Sequence, residues 1–229
     1  MPFKFKETIL NMSELNFKKN EFIEFTLKSD VLRFGEFRTK AGRLSPYFFN
    51  AGLFTDGAKV GALGEFYANA IISSGISFDM LYGPAYKGIT LAAATAIALS
   101  KFGRNVPFAF NRKEIKDHGE GGQTVGAKLE GDVLIIDDVI SAGTSVRESL
   151  DIIKETEANP CGIIVSLDRQ ERGQGELSAI QEIERDHGLA VLSLFTLEDL
   201  IRHLSDVPEM EVHLKRMERY REDYGVTLS

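Results

Sequence analysis

The sequence predicts an α/β fold with a mainly parallel sheet that is covered by helices on both faces. From residue 78 onward, short apolar segments typical of strands alternate with longer segments of helical periodicity. The short segments are hydrophobic along their whole length, which indicates strands buried on both faces, as in parallel sheets. No linker interrupts the chain, so we expect a single domain over residues 1–229.

The N-terminal part of the chain precedes this alternation. Residues 1–16 form an extension to which no role is assigned. Residues 17–29 (FKKNEFIEFTLKS) place apolar among charged residues at a spacing that predicts a helix. Residues 32–50 are rich in aromatics and interrupted by glycine and proline, which predicts short strands and turns. A second helix is predicted over 59–73, ending near Gly75.

The alternation itself supplies five strands and five helices. The predicted strands are 78–83, 106–110, 132–138, 162–168 and 189–196. The predicted helices are 89–102, 144–156, 176–188, 197–205 and 208–223. The polar segment from residue 111 to Glu130 has no predicted regular structure. Because ligands bind at the carboxyl ends of parallel strands, residues that follow the strands are the candidates for a functional site.

The composition favours a cytoplasmic protein that acts on small molecules. The 229 residues carry a net charge of −7 without a basic tail, which argues against general nucleic-acid binding. No apolar run approaches the length of about 18 residues that a membrane span needs, and the N-terminus lacks the apolar stretch of a secretory signal. The single cysteine, Cys161, excludes an intrachain disulfide and a cysteine-based zinc site.

The segment VLIIDDVISAGTS, residues 133–145, joins an apolar strand to a turn with features of an anion site. Gly143 and several hydroxyl residues open the next helix, where free backbone N–H groups bind phosphate well. The segment is neither a Walker A loop, because no Gly-Lys-Ser/Thr follows, nor the G-x-G-x-x-G dinucleotide motif. The sequence therefore predicts a phosphate site of another kind.

Two adjacent carboxylates, Asp137 and Asp138, stand beside this predicted phosphate site. They would repel a phosphate but suit sugar hydroxyls, which donate hydrogen bonds, or Mg²⁺, which prefers oxygen ligands. Neighbouring strand residues point to opposite faces, so the pair can share one site only if the chain turns there. The ligand that satisfies the whole segment is a ribose 5-phosphate.

Four further segments carry aromatic and basic residues that bear on the second ligand. They are SPYFFN (45–50), GPAYKGI (83–89), NRKEIKDHGEGGQTVG (111–126) and SLDRQERGQGE (166–176). Lys87 follows the first strand of the alternation and Arg169 follows a later one. Both are therefore expected at the same edge of the sheet as Asp138.

Together these segments resemble the orotate phosphoribosyltransferases, a family of type I phosphoribosyltransferases. VLIIDDVISAGTS resembles the 5-phosphoribosyl 1-diphosphate (PRPP) motif that the whole superfamily shares. SPYFFNAGLF, GPAYKGI, KDHGEGG and SLDRQERG are more specific to the orotate enzymes, and the resemblance covers roughly residues 17–224. It implies the type I phosphoribosyltransferase fold, with a small N-terminal hood and a flexible catalytic loop.

The resemblance also implies a role for each matching residue. Those implied to bind PRPP are Lys40, Tyr86, Lys87, Arg112, Lys113, Lys116, His118, Asp137, Asp138, Val139, Ile140, Ser141, Ala142, Gly143, Thr144 and Ser145. Those implied to bind orotate are Phe48, Phe49, Ser141 and Arg169, with Arg169 on the orotate carboxylate. Those implied in catalysis are Lys116, His118, Asp137 and Asp138. Ser141 stands where the family usually shows threonine, and its hydroxyl is expected to keep the hydrogen bond to the base.

The implied reaction is attack of orotate N1 on the anomeric carbon of PRPP with loss of diphosphate. The products are orotidine 5′-monophosphate, a pyrimidine nucleotide precursor, and diphosphate. Mg²⁺ is the expected cofactor, bound through PRPP near Asp137 and Asp138. The basic residues of 111–126 are expected on a mobile loop that closes over PRPP, in part over the site of a neighbouring subunit. A homodimer with shared active sites is therefore expected.

Two other interpretations remain open from the residues. A transferase for a purine or uracil would keep the PRPP motif but need not keep Arg169 or KDHGEGG. A regulator that senses PRPP would be expected to lack the loop lysines and often to carry a DNA-binding segment. The lysines are present and no basic segment of that kind precedes residue 30. These observations favour orotate transfer.

Overall fold

The computed structural model describes residues 12–39, 41–116 and 122–227. Its strands are β1 (Leu32–Arg38), β2 (Leu44–Phe49), β3 (Met80–Gly83), β4 (Phe108–Lys116), β5 (Gly122–Gly126), β6 (Asp132–Val139), β7 (Asn159–Asp168) and β8 (Val191–Thr196). Six of them form the central sheet in the order β5-β4-β3-β6-β7-β8. Neighbours in this sheet are parallel except for the antiparallel pair β4 and β5. The predicted mainly parallel sheet is confirmed.

The helices begin and end at residues whose chemistry suits those positions. They are α1 (Met12–Lys28), α2 (Gly57–Ser74), α3 (Lys87–Lys101), α4 (Thr144–Lys154), α5 (Ala179–His187), α6 (Leu197–Ser205) and α7 (Glu211–Tyr224). The Asp56 side chain accepts a hydrogen bond from the Lys59 N–H at the start of α2, and Gly75, with φ +69°, ends it. Ser178 and Thr196 form capping boxes at α5 and α6. No helix among the described residues is long and apolar enough to cross a membrane.

Helices cover both faces of the central sheet, as the uniformly apolar strands predict. Alternate residues of β6 show the division, because successive strand residues point to opposite faces. Leu134 and Ile136 belong to a core cluster shared with α1, α2, α3, α6 and α7. Val133 and Ile135 belong to a second cluster shared with α4 and α5. All four side chains are fully buried.

A separate two-stranded hairpin lies outside the central sheet and corresponds to the predicted N-terminal hood. Its strands β1 and β2 are antiparallel, with Leu32 opposite Phe49. Its buried Tyr47 contacts α7 through an edge-to-face arrangement with Tyr220, whose ring centroid is 6.3 Å away. The hood is thus attached to the last helix of the chain, and this attachment places it beside the sheet edge described below.

The polar segment 111–126 differs from its prediction. Residues predicted as a mobile loop extend β4 to Lys116 and return as β5, with Asn111 opposite Thr124 and Lys116 opposite Gly122. The sequence did not predict this pairing, because backbone hydrogen bonds between polar residues at a sheet edge leave no apolar periodicity. The mobility of the segment stays a prediction. Arg112, Lys113 and Lys116 therefore lie on a strand, whereas His118 lies outside the described residues.

Candidate active site

Three parallel strands of the central sheet end at one edge and bring the predicted segments together. β6 lies between β3 and β7, and Val139 at its end is opposite Leu167 near the end of β7. The segment after β3 carries Lys87, the segment after β6 is the 139–145 turn, and the segment after β7 begins with Arg169. These residues therefore lie at one edge of the sheet, as the sequence predicts.

The turn after β6 is shaped to present backbone N–H groups. Gly143 has φ +71° and directly precedes α4, so a side chain at this position would be strained. The Arg147 guanidinium donates a 2.6 Å hydrogen bond to the Ala142 carbonyl and braces the turn from outside. Ser141 and Thr144 are exposed. The first N–H groups of α4 have no partners within the helix, which makes this turn suitable for an anion.

The two aspartates of β6 diverge because the strand continues through Val139 instead of turning at them. The Asp137 carboxylate points toward α4, where it accepts hydrogen bonds from the Ser145 hydroxyl and the Asp138 N–H, both at 2.9 Å. The Asp138 carboxylate pairs with Lys87 Nζ at 2.7 Å. The two carboxylates could face one ligand only if the chain turned at them, and the strand does not turn there.

Asp137 is buried beside a second carboxylate. Asp137 is 6% exposed, and its burial, together with the negative charge of Asp138, raises its pKa to about 6. The Tyr67 hydroxyl donates to the Asp137 carbonyl at 2.7 Å and packs beneath this part of the strand. Asp137 thus braces the strand against α4, and Asp138 is the carboxylate that pairs with a ligand-edge cation.

The turn from β3 to α3 places Lys87 and Tyr86 at the edge. Gly83 and Gly88 approach so closely that a Cβ on Gly83 would lie 2.0 Å from the Gly88 carbonyl oxygen. Only glycine fits such an approach, and the tight turn starts α3 at Lys87. The Tyr86 side chain is 74% exposed. Asn111, which is buried on β4, accepts a 2.7 Å hydrogen bond from the Ala85 N–H and ties this turn to the neighbouring strand.

The basic residues of β4 follow Asn111 along the strand. Lys113 Nζ pairs with the Glu148 carboxylate of α4 at 3.0 Å, and both side chains are exposed to solvent. Arg112 is half-buried and Lys116 ends the strand. Both described lysines of this edge, Lys87 and Lys113, are thus held by carboxylates.

Arg169, the residue predicted to bind the base, is half-buried and tightly held. Its Nε donates a 2.8 Å hydrogen bond to Glu171 Oε1, and its Nη2 donates a 3.1 Å hydrogen bond to the Ser45 hydroxyl. The guanidinium carbon lies 4.2 Å from the centroid of the Tyr47 ring. Only 16% of the Arg169 side chain is exposed. The arginine is therefore fixed in place with a small open face, an arrangement suited to one carboxylate.

The two phenylalanines predicted to line the base pocket lie on opposite faces of β2. Phe48 is 37% exposed and stacks on Phe37, with ring centroids 5.3 Å apart. Phe49 is 8% exposed and its centroid is 6.0 Å from that of Phe195 in the core. Only the Phe48 side chain is open to a ligand, because the alternation of strand residues separates the two rings.

Three predicted site residues and the predicted metal remain to be considered. Lys40 and His118 lie outside the described residues, and the Lys116 side chain is not described. Within the described ranges, no group of three or more His, Cys, Asp or Glu residues is arranged to hold a metal ion. The described side chains therefore do not form a metal site made of protein ligands alone.

Sequence reasoning missed the three residues Ser45, Tyr47 and Glu171 that contact Arg169. Ser45 lies on β2, 124 residues away in the chain. Glu171 follows Arg169 after one residue and was present in the segment SLDRQERG, where a glutamate next to a ligand-binding arginine was an available signal. The Ser45 contact had no comparable signal, because nothing local in the sequence fixes how the hood meets the sheet.

In each of three comparisons with known proteins, the chain is similar to phosphoribosyltransferases. It matches the model of the phosphoribosyl transferase domain over residues 53–185. It is 61% identical over 206 residues to the orotate phosphoribosyltransferase of Thiobacillus denitrificans, covering 90% of this chain and 97% of the relative. The corresponding protein of Chromobacterium violaceum is 62% identical over 208 residues, covering 91% and 97%. The crystal structure of the Francisella tularensis orotate phosphoribosyltransferase is similar with a TM-score of 0.82 and 42% identity, covering 90% of this chain and 99% of that one.

Proposed function

Because this chain belongs to the orotate phosphoribosyltransferases, we propose that it transfers the 5-phosphoribosyl group from PRPP to N1 of orotate in pyrimidine biosynthesis. The single observation that carries the assignment to orotate is the tightly held, half-buried Arg169 beside the 139–145 turn. A turn for a ribose 5-phosphate and an arginine for a carboxylate, on neighbouring strands, fit the two substrates of this reaction.

Catalysis in this proposal depends on positioning and electrostatics. The 139–145 turn holds the 5-phosphate, Asp138 faces the ribose and Arg169 orients orotate so that N1 meets the anomeric carbon. Negative charge grows on the departing diphosphate, and Lys87 and the basic residues of β4 stabilise it. The Lys87–Asp138 and Lys113–Glu148 pairs hold these lysines near their sites before PRPP arrives. Binding then exchanges carboxylate partners for phosphate ones.

Mg²⁺ fits the site as an ion bound mainly through the substrate. The described residues provide no metal cage, and both Asp137 oxygens already accept hydrogen bonds. Asp138 is the carboxylate that would hold the ion together with PRPP oxygens and water, the mixture of ligands that Mg²⁺ prefers. When bound, Mg²⁺ supplies positive charge to the diphosphate oxygens.

The test is the loss of orotate absorbance when PRPP and Mg²⁺ are added to the purified protein. We expect rapid loss with orotate and none with uracil or hypoxanthine, because neither carries the carboxylate that Arg169 binds. Chelation of Mg²⁺ should abolish the reaction. Turnover of hypoxanthine or uracil in place of orotate would identify a transferase for another base, and binding of PRPP without turnover would identify a sensor.

We also propose that the active form is a homodimer in the cytoplasm, in which part of the 111–126 segment, including Lys116, completes the neighbouring subunit's site. An exposed apolar face supports self-association: Ile97 on α3 is 60% exposed and lies beside Val60 of α2. Mixing inactive Lys116→Ala and Asp138→Asn variants should restore up to about a quarter of wild-type activity. The reason is that half of the subunit pairs are mixed and each has one intact site.

Two results would contradict the shared site. One is a monomeric mass in solution for the active enzyme. The other is a mixture of the two variants that stays inactive after the subunits have been shown to exchange.

A further inference from the structure

The Glu171 carboxylate is shared by two arginines from distant parts of the chain. Its Oε1 accepts the hydrogen bond from Arg169, and its Oε2 lies 3.8 Å from Arg43 Nη1. The Glu171 side chain is 13% exposed, Arg169 16% and Arg43 20%. Two cations and one anion leave this cluster with a single positive charge, which matches one substrate carboxylate. Ion pairs this buried are screened far less than those on the surface.

The end of the chain holds Glu171 from the other side. Glu171 forms an isolated antiparallel bridge with Gly225, just after α7. The Arg172 N–H donates to the Tyr224 carbonyl and the Val226 N–H donates to the Gln170 carbonyl, both at 2.9 Å. The backbone on each side of Glu171 is therefore fixed by the C-terminal segment.

Side chains of the hood and of α7 close around the same cluster. Arg43 donates a 3.2 Å hydrogen bond to the Gly173 carbonyl, and its guanidinium carbon lies 4.9 Å from the centroid of the Tyr224 ring. Tyr220 is buried edge-on to Tyr47. Burial raises the pKa of the Tyr220 phenol and the Glu171 charge raises it further, so the hydroxyl stays neutral beside the ion pair.

We propose that Glu171 is a positioning residue for orotate recognition, holding the Arg169 guanidinium by its Nε–Nη2 edge so that the Nη1 side meets the orotate carboxylate. The inference rests on the proposed function. An arginine loses side-chain entropy when it is ordered at binding, and an arginine ordered beforehand avoids that loss. Its planar fork also discriminates by direction, so its orientation determines how well a flat carboxylate is bound.

The test is Glu171→Gln, which keeps the length of the side chain and removes its charge. We expect the KM for orotate to rise about tenfold, as for the weakening of one charged hydrogen bond, while kcat and the KM for PRPP stay within about twofold. Glu171→Asp keeps the charge on a shorter side chain and should give a smaller rise. The matched control is Glu176→Gln, because the Glu176 side chain is 92% exposed and should leave all three constants unchanged.

A double-mutant cycle separates positioning from a general effect on folding. In an Arg169→Ala background, Glu171→Gln should add no further rise in the orotate KM, because the residue through which it acts is gone. Each of three results would overturn the inference. They are an additive rise in the double variant, an unchanged orotate KM in both Glu171 variants, and equal rises in the KM values for orotate and PRPP. A wild-type protein that does not consume orotate would instead overturn the proposed function, so the two failures are distinguishable.

Discussion

The proposed phosphate end of the site is one continuous stretch of chain, whereas the proposed base end is assembled from distant segments. Residues 137–145 supply a strand, a turn and the start of α4 within nine positions. Arg169 is instead held by Ser45 of the hood and by Glu171, whose backbone is fixed by the C-terminal segment. The 139–145 turn is also exposed at Ser141 and Thr144, while only 16% of the Arg169 side chain is exposed.

The two ends should therefore depend to different degrees on the packing of the surrounding segments. We expect a contiguous turn of backbone N–H groups to bind a ribose 5-phosphate with little dependence on the segments around it. Recognition of the base depends on how the hood, β7 and α7 meet, since that packing sets the orientation of one arginine. Changes at the phosphate end should therefore affect rate or PRPP binding, and changes at the base end should affect orotate alone.

The largest effect should come from Lys116→Ala, because this lysine at the end of β4 is proposed to stabilise the departing diphosphate. We expect kcat to fall by about 10²–10³-fold, the usual cost of losing a group that stabilises transition-state charge, with a much smaller change in the KM for PRPP. Steady-state kinetics with both substrates varied would measure this. The exposed Lys128, just after β5, provides the control Lys128→Ala. Wild-type turnover in the Lys116 variant would remove the lysine from the proposed mechanism.

The next effect should come from Arg169→Ala at the base end. We expect the KM for orotate to rise by about 30- to 100-fold, because a buried charged hydrogen-bonding partner of the carboxylate is lost. The KM for PRPP should change by less than about threefold, if the two ends are independent as additivity of separated sites implies. Arg185→Ala, on the exposed face of α5, is the control. A rise in the PRPP KM with the orotate KM unchanged would show that the base has been assigned to the wrong end.

The sequence predicted the features that depend on local pattern. Uniformly apolar strands gave the sheet, and the turn around Gly143 was recognisable because strand, glycine and hydroxyl residues are contiguous. The β4–β5 hairpin was missed because backbone pairing between polar residues has no hydrophobic period. Asp137 and Asp138 diverge because the strand continues for one more residue, Val139. Arg169 contacts Ser45, which is more than a hundred residues away in the chain. Element boundaries and tertiary contacts are the quantities that local periodicity leaves open.

The smallest effect should come from Asp137→Asn, which tests whether Asp137 and Asp138 have different roles. Burial raises the pKa of Asp137 to about 6, above the value near 3.9 expected in the unfolded chain. Its contribution to stability is therefore fully present below about pH 4 and is lost as the pH rises through about 6. Asp137→Asn removes the buried charge, and its amide can still bond Ser145 and the Asp138 N–H. We expect the free energy of unfolding to rise by about 1–2 kcal/mol at pH 8.

The pH dependence of this gain identifies its cause. About half of it should remain at pH 5, where the wild-type Asp137 is mostly protonated in the folded state. Denaturant unfolding at the two pH values would measure both quantities, with Asp151→Asn on the exposed face of α4 as the control that changes neither. A gain that is equal at pH 8 and pH 5 would mean that Asp137 does not titrate as its burial requires. Turnover of the same variant tests the division directly, because a brace acting through β6 should affect kcat less than Asp138→Asn does.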